Sequence, residues 1–114
     1  MAVKIRFVSD ALQMTATLNN SRAASAMLGG LPAEGVAEIV DASVYMLVDL
    51  KLPGSGAVAD VEPGTVAYWP ATSSLCVFFG AQPATPVVVI GKLDGDPNEW
   101  GKVTADSAVR VEKV

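Results

Sequence analysis

The chain contains no histidine and a single cysteine, Cys76. Without an imidazole there is no usual general base, no commonest zinc ligand, and no Ser-His or Cys-His nucleophile pair. One cysteine excludes an internal disulfide and a Cys-rich metal site, and its setting in Leu75-Cys76-Val77-Phe78-Phe79 predicts a buried, inert thiol. Charge is sparse too: eight basic against twelve acidic residues give a net −4. The basic residues stand singly from Lys4 to Lys113, so no stripe can neutralise a row of phosphates, and nucleic acid is not an expected partner. Long hydrophobic runs are missing, although 51% of the residues are hydrophobic. Every apolar run breaks well short of the ~18 residues of a membrane-spanning helix, which predicts a soluble protein and no membrane partner. The start, MAVKIRFVSD, alternates apolar and polar residues as a first strand does; it is not read as a signal peptide, and a cytoplasmic location is expected.

What is present is strand pattern. The 114 residues are read as one domain, 1–114, long enough for a single core. The organising stretch is Gly64 to Gly80. Val66-Ala67-Tyr68-Trp69 and Leu75-Cys76-Val77-Phe78-Phe79 flank Pro70-Ala71-Thr72-Ser73-Ser74, which predicts two antiparallel strands around a turn. The second run is apolar at every position, so both of its faces must be covered, as in a barrel wall backed by a helix or by other strands. Aromatic side chains concentrate here: Tyr45, Tyr68, Trp69, Phe78 and Phe79 leave only Phe7 and Trp100 elsewhere.

Before this stretch, Val3, Ile5 and Phe7 alternate with Lys4 and Arg6, and Leu12, Met14, Ala16 and Leu18 with Gln13, Thr15 and Thr17, predicting an opening hairpin turned at Ser9-Asp10. Asn19-Asn20-Ser21 offers N-cap oxygens, and Ala24, Met27, Leu28 and Leu31 recur at helical spacing. One helix of about three turns is expected over roughly 20–31, closed by Gly29-Gly30 and Pro32. Val36 to Val40 and Val44 to Leu50 are two more strands expected to pair. Lys51 to Gly64 reads as a long exposed loop, either functional or a plain connector. Val87 to Leu93 predicts a buried strand, Asp94 to Gly101 a turn with one helical turn, and Val109 with Val111 a last strand. The sum is a mainly β fold: a small closed or nearly closed antiparallel β-barrel with one main helix, with a β-sandwich as the rival.

Candidate chemistry is thin. Asp94, Asp96 and Asn98 begin like a calcium loop, but Ala105 stands where the twelfth-position glutamate belongs, so they read as a turn and no metal is expected. Glu34 and Glu38 read as solvated carboxylates. Ser73 and Ser74 have no base to activate them. Lys92 is either a surface lysine or a desolvated base in a barrel mouth. Tyr68 and Trp69, as strand neighbours, face opposite sides, and one of them is expected to line a concavity suited to an amphipathic ligand. No catalytic residue and no cofactor is assigned.

Three runs, Val61-Glu62-Pro63-Gly64-Thr65-Val66-Ala67-Tyr68-Trp69-Pro70, Leu75-Cys76-Val77-Phe78-Phe79-Gly80 and Val89-Ile90-Gly91-Lys92-Leu93, resemble the signature of the small cyclophilin-like proteins of bacteria and archaea. The Lys4-Ile5-x-Phe7 start, a helix ending in Leu31-Pro32 and a strand around Val44-Tyr45 extend the likeness over most of the chain. The resemblance implies a cyclophilin-type barrel and a family whose biochemical role is unassigned. Peptidyl-prolyl isomerases of this fold surround a proline groove with an arginine, a glutamine, aromatics, a tryptophan and a histidine. Here the histidine is absent, and none of Arg6, Arg22 or Arg110 stands in the matching setting. The resemblance carries the fold and leaves the isomerase site behind. Three readings follow: a module binding a small molecule or proline-containing peptide in a groove of Tyr45, Tyr68, Trp69, Pro70, Phe79 and Gln82; a prolyl isomerase; or a structural or regulatory subunit, including a homo-oligomer.

Overall fold

The structure, a computed structural model, describes residues 3–48, 51–52, 56–83 and 85–114. Its strands are β1 (Lys4–Val8), β2 (Gln13–Leu18), β3 (Ala33–Ile39), β4 (Ser43–Leu47), β5 (Thr65–Trp69), β6 (Ser74–Phe78), β7 (Val88–Leu93) and β8 (Ala108–Lys113). Helix α1 (Arg22–Leu28) follows β2, and a 3-10 helix, Pro97–Lys102, precedes β8. The strands form a closed barrel in the order β1-β2-β7-β5-β6-β4-β3-β8, every pairing antiparallel. Closure is made by β1 against β8, with Phe7 opposite Val111. That pairing leaves no open sheet edge, which a sandwich would have left at both of its sheets.

Alternation along the strands fills the interior. Ile5, Phe7, Ala16, Leu18, Val44, Met46, Val66, Tyr68, Leu75, Val77, Ile90, Val109 and Val111 are buried in one cluster. At β2–β7 the wall approaches so closely that a Cβ on Gly91 would lie 2.5 Å from the Thr17 carbonyl oxygen. Only glycine fits there.

The register sets what closes each end. Helix α1 leaves from Leu18 and inserts Ala23, Ala24 and Met27 into the core. Its small residues allow that close approach. Ser21 is the N-cap, its hydroxyl accepting from the Ala24 N–H at 3.1 Å. The helix spans seven residues, two turns where the sequence spacing predicts three. Gly29 and Gly30 already donate to Ala26 and Met27 in a closing turn, and the cis Leu31–Pro32 bond leads into β3. At the opposite end, beyond Leu93, the 3-10 helix drives Trp100 into the core, edge-to-face with Phe7 at 5.1 Å and 85°. The Trp100 Nε1–H is buried without a partner among the described residues.

Strand β6 is buried at every position, as its composition requires. Its inner residues Leu75 and Val77 join the main core, while Cys76 and Phe78 form a second cluster outside the wall with Ala67 and Val87. The cover on that outer face is neither the helix nor another sheet, contrary to the sequence expectation. It comes from loop residues: Val61 packs onto the cluster, and Val58 forms an isolated bridge with Val87. The loop after Lys51 is thus tied to the wall from Val58 onward; positions 53–55 lie outside the described residues, as do 49–50, the end of the longer strand expected to follow Val44. Strand β4 itself stops at Leu47. Among the described residues no helix is long and apolar enough to cross a membrane.

Candidate functional site

On the outer wall, β4 and β6 carry Tyr45 opposite Cys76, and β6 and β5 carry Ser74 opposite Trp69. This brings the rings of Tyr45 and Trp69 together, edge-to-face at 5.6 Å and 80°. On its other side Tyr45 meets Phe78 at 5.9 Å and 81°. Phe78 is fully buried, so it anchors Tyr45 from beneath, while Tyr45 and Trp69 remain half-buried. These two rings line a cavity of about 200 Å³ with Glu38, Val40 and Thr85. Glu38 enters through register, lying directly across β3–β4 from Tyr45. Burial, together with the neighbouring Cys76, raises the Tyr45 phenol above its ordinary pKa against the opposing pull of a Ser43 hydrogen bond. Burial alone pushes the Cys76 thiol up to about 12. Both groups are neutral over the physiological range.

The other sequence candidates sit elsewhere. Tyr68 points into the barrel, 1% exposed, with its hydroxyl accepting from the Leu52 N–H at 3.3 Å. Pro70 is exposed in the turn after β5, and Phe79 packs half-buried against the main core. Gln82 clips the loop to the wall: its amide accepts from the Val61 N–H and donates to the Val61 carbonyl, both at 2.8 Å. Tyr45 and Trp69 are therefore the pair that the fold assembles. Glu38, Val40 and Thr85 were not expected in the groove: Glu38 is revealed by cross-strand register, and Val40 and Thr85 lie outside the strands, after β3 and before β7.

A larger cavity, about 490 Å³, runs along β2, β7 and β5 past Thr17, Lys92 and Asp94. Its polar side chains already have partners, Asn19 and Thr65 at backbone carbonyls and Thr17 at Asp94. Asp94 accepts from Thr15 and Thr17 Oγ1 at 2.7 and 2.6 Å and from Lys4 Nζ at 2.8 Å. Burial raises the Asp94 pKa, but the hydrogen bonds from Lys4, Thr17 and Thr15 and the Lys4 charge outweigh it and hold the carboxyl at about 2. This is a clamp joining β1, β2 and the end of β7. Lys92 is exposed, 3.8 Å from the still more exposed Glu62, so it is a surface lysine and not a desolvated base.

Asp96 caps the 3-10 helix, accepting from the Asn98 N–H at 3.0 Å; the Asp94-to-Asn98 segment is a turn. Among the described residues no three His, Cys, Asp or Glu side chains are grouped to hold a metal ion. Arg6 and Arg110 both reach Glu112, at 3.3 and 3.2 Å. No arginine lines the Tyr45–Trp69 cavity.

No curated relative matches the chain. Among solved structures, the hypothetical protein AF2241 from Archaeoglobus fulgidus is similar with a TM-score of 0.84 at 22% identity, over 99% of this chain and 95% of that one. McbB in complex with tryptophan is similar with a TM-score of 0.71 at 16% identity, over 96% of this chain but 44% of McbB. At such identities the likeness is one of fold. The model of the family described as Cyclophilin-like matches residues 1–112, and with the closed eight-stranded barrel this establishes that the chain belongs to the cyclophilin-like family.

Proposed function

We propose that the protein is a binding module: a cyclophilin-like barrel that holds a small molecule or short peptide against Tyr45 and Trp69 without acting chemically on it. The observation that carries this reading is the half-exposed, edge-to-face Tyr45–Trp69 pair lining a concavity. Large aromatic side chains left part-open beside a cavity offer area for an apolar ligand, and phenol and indole tips add directional hydrogen bonds. The surroundings supply no activated nucleophile, with the nearby Cys76 thiol held neutral and fully buried. Prolyl isomerisation is the weaker reading, because no guanidinium lines the cavity to favour the twisted imide.

The test is titration followed by two-dimensional NMR of the indole N–H resonances. Trp69 is half-buried in the cavity and Trp100 is 0% exposed at the far side of the core, so one indole reports and the other serves as the internal control. A short acetylated proline peptide is one probe. L-tryptophan is another, chosen because the similar McbB is described with it. Saturable movement of the Trp69 signal with Trp100 unmoved, weakened in Tyr45→Ala, is expected; movement of neither indole with any probe, including those below, would remove the reading.

A further inference from the structure

Resting on that reading, we propose that the Tyr45–Trp69 cavity takes an organic cation, an alkylammonium or guanidinium group, as the charged end of its ligand. Three features converge on this chemistry. First, two rings at 80° and 5.6 Å form adjoining walls, so a group seated in the angle lies against an aromatic face, whose quadrupole is negative and attracts cations. Second, among the described residues the one ionisable side chain lining the cavity besides the neutral Tyr45 phenol is the Glu38 carboxylate. Among the described residues Glu38 forms no ion pair; the ion-paired carboxylates are Asp94, Glu62, Glu99 and Glu112. Arg110, the cation nearest in register, stands opposite Glu34 and is held by Glu112. Third, the chain as a whole carries a net −4, which favours approach of a cation over an anion.

The apolar surroundings strengthen the pairing of ring and carboxylate. Val40, in the cavity, and Leu47, on the same outward face of β4 as Tyr45, are 42% and 62% exposed. A ligand with an alkyl body and a cationic tip satisfies both parts of this wall. An anion would face Glu38, and a wholly apolar ligand would desolvate it unpaired.

Choline and its neutral carbon isostere 3,3-dimethyl-1-butanol have the same shape and differ by one charge, which isolates the electrostatic part. Acetyl-lysine methylamide against acetyl-norleucine methylamide repeats the comparison for a cation borne on a peptide. The Trp69 indole signal is expected to titrate with at least one cation roughly tenfold more tightly than with its neutral partner, the combined size of a cation–π contact and an exposed ion pair. Glu38→Gln is expected to weaken cation binding roughly two- to fivefold. Which cation binds tells a free small molecule from a peptide side chain. If cation and isostere bind alike, or Glu38→Gln leaves cation affinity unchanged, the inference of a cation site is overturned while the binding groove stands. If cations, isosteres, the proline peptide and tryptophan all leave Trp69 unmoved, the groove itself is overturned.

Discussion

Replacing Asp94 by asparagine isolates the clamp that ties three strands of the barrel. The substitution preserves shape and removes the charge that attracts Lys4 at 2.8 Å and the hydroxyls of Thr15 and Thr17. A carboxyl moved from the ordinary 3.8 to about 2 corresponds to about 2.5 kcal/mol of linked stability if fully realised. The Asp94 and Lys4 side chains are 29% and 43% exposed, and solvent screening of such a pair reduces this to about 1 kcal/mol. The sign follows from the direction of the shift. A depressed carboxyl stabilises the folded state above its unfolded pKa, and that stability is lost as pH falls through the folded value. The difference between wild type and Asp94→Asn should therefore be full at pH 7, shrink below about pH 4, be mostly lost by pH 2 and vanish below it. Urea unfolding of both proteins at several pH values, read by far-ultraviolet circular dichroism, measures it. A gap that persists undiminished at pH 2, or no gap at pH 7, would refute the clamp.

Gly91→Ala should destabilise the barrel by about 2–3 kcal/mol, because the new methyl meets a backbone carbonyl that cannot rotate away; an unchanged denaturation midpoint would contradict the β2–β7 register. Cys76 should react slowly with a thiol reagent in the native protein and rapidly in denaturant, since it is 0% exposed and its pKa is pushed up to about 12. Stoichiometric native labelling within seconds would exclude its place behind Tyr45. In a cis/trans proline peptide assay the protein should be at least tenfold less efficient than a true cyclophilin, having no histidine and no arginine in the cavity; comparable efficiency would call for Arg6→Ala and Arg110→Ala.

Much of the barrel is legible in the chain because alternation is a local property. A strand's apolar period follows from its own residues, so the hairpins of β1–β2, β3–β4 and β5–β6 and the double burial of Leu75-Cys76-Val77-Phe78 can be read without knowing any partner. The N-cap at Ser21 is local in the same sense. That Tyr68 and Trp69 face opposite ways is also written in the period of two.

The tertiary structure decided which strands meet across the barrel, and with that the site. Tyr45 reaches Trp69 only because β4 pairs with β6 and β6 with β5. Glu38 reaches the cavity because β3 pairs with β4 in one register and not the next, in which every side chain would change face. Gln82, read from sequence as a groove residue, is a loop clip because its amide finds both backbone groups of Val61. These choices depend on closing the whole wall around one core, where the best-packed order of strands is selected by contacts between residues far apart in the chain, and no local period encodes them.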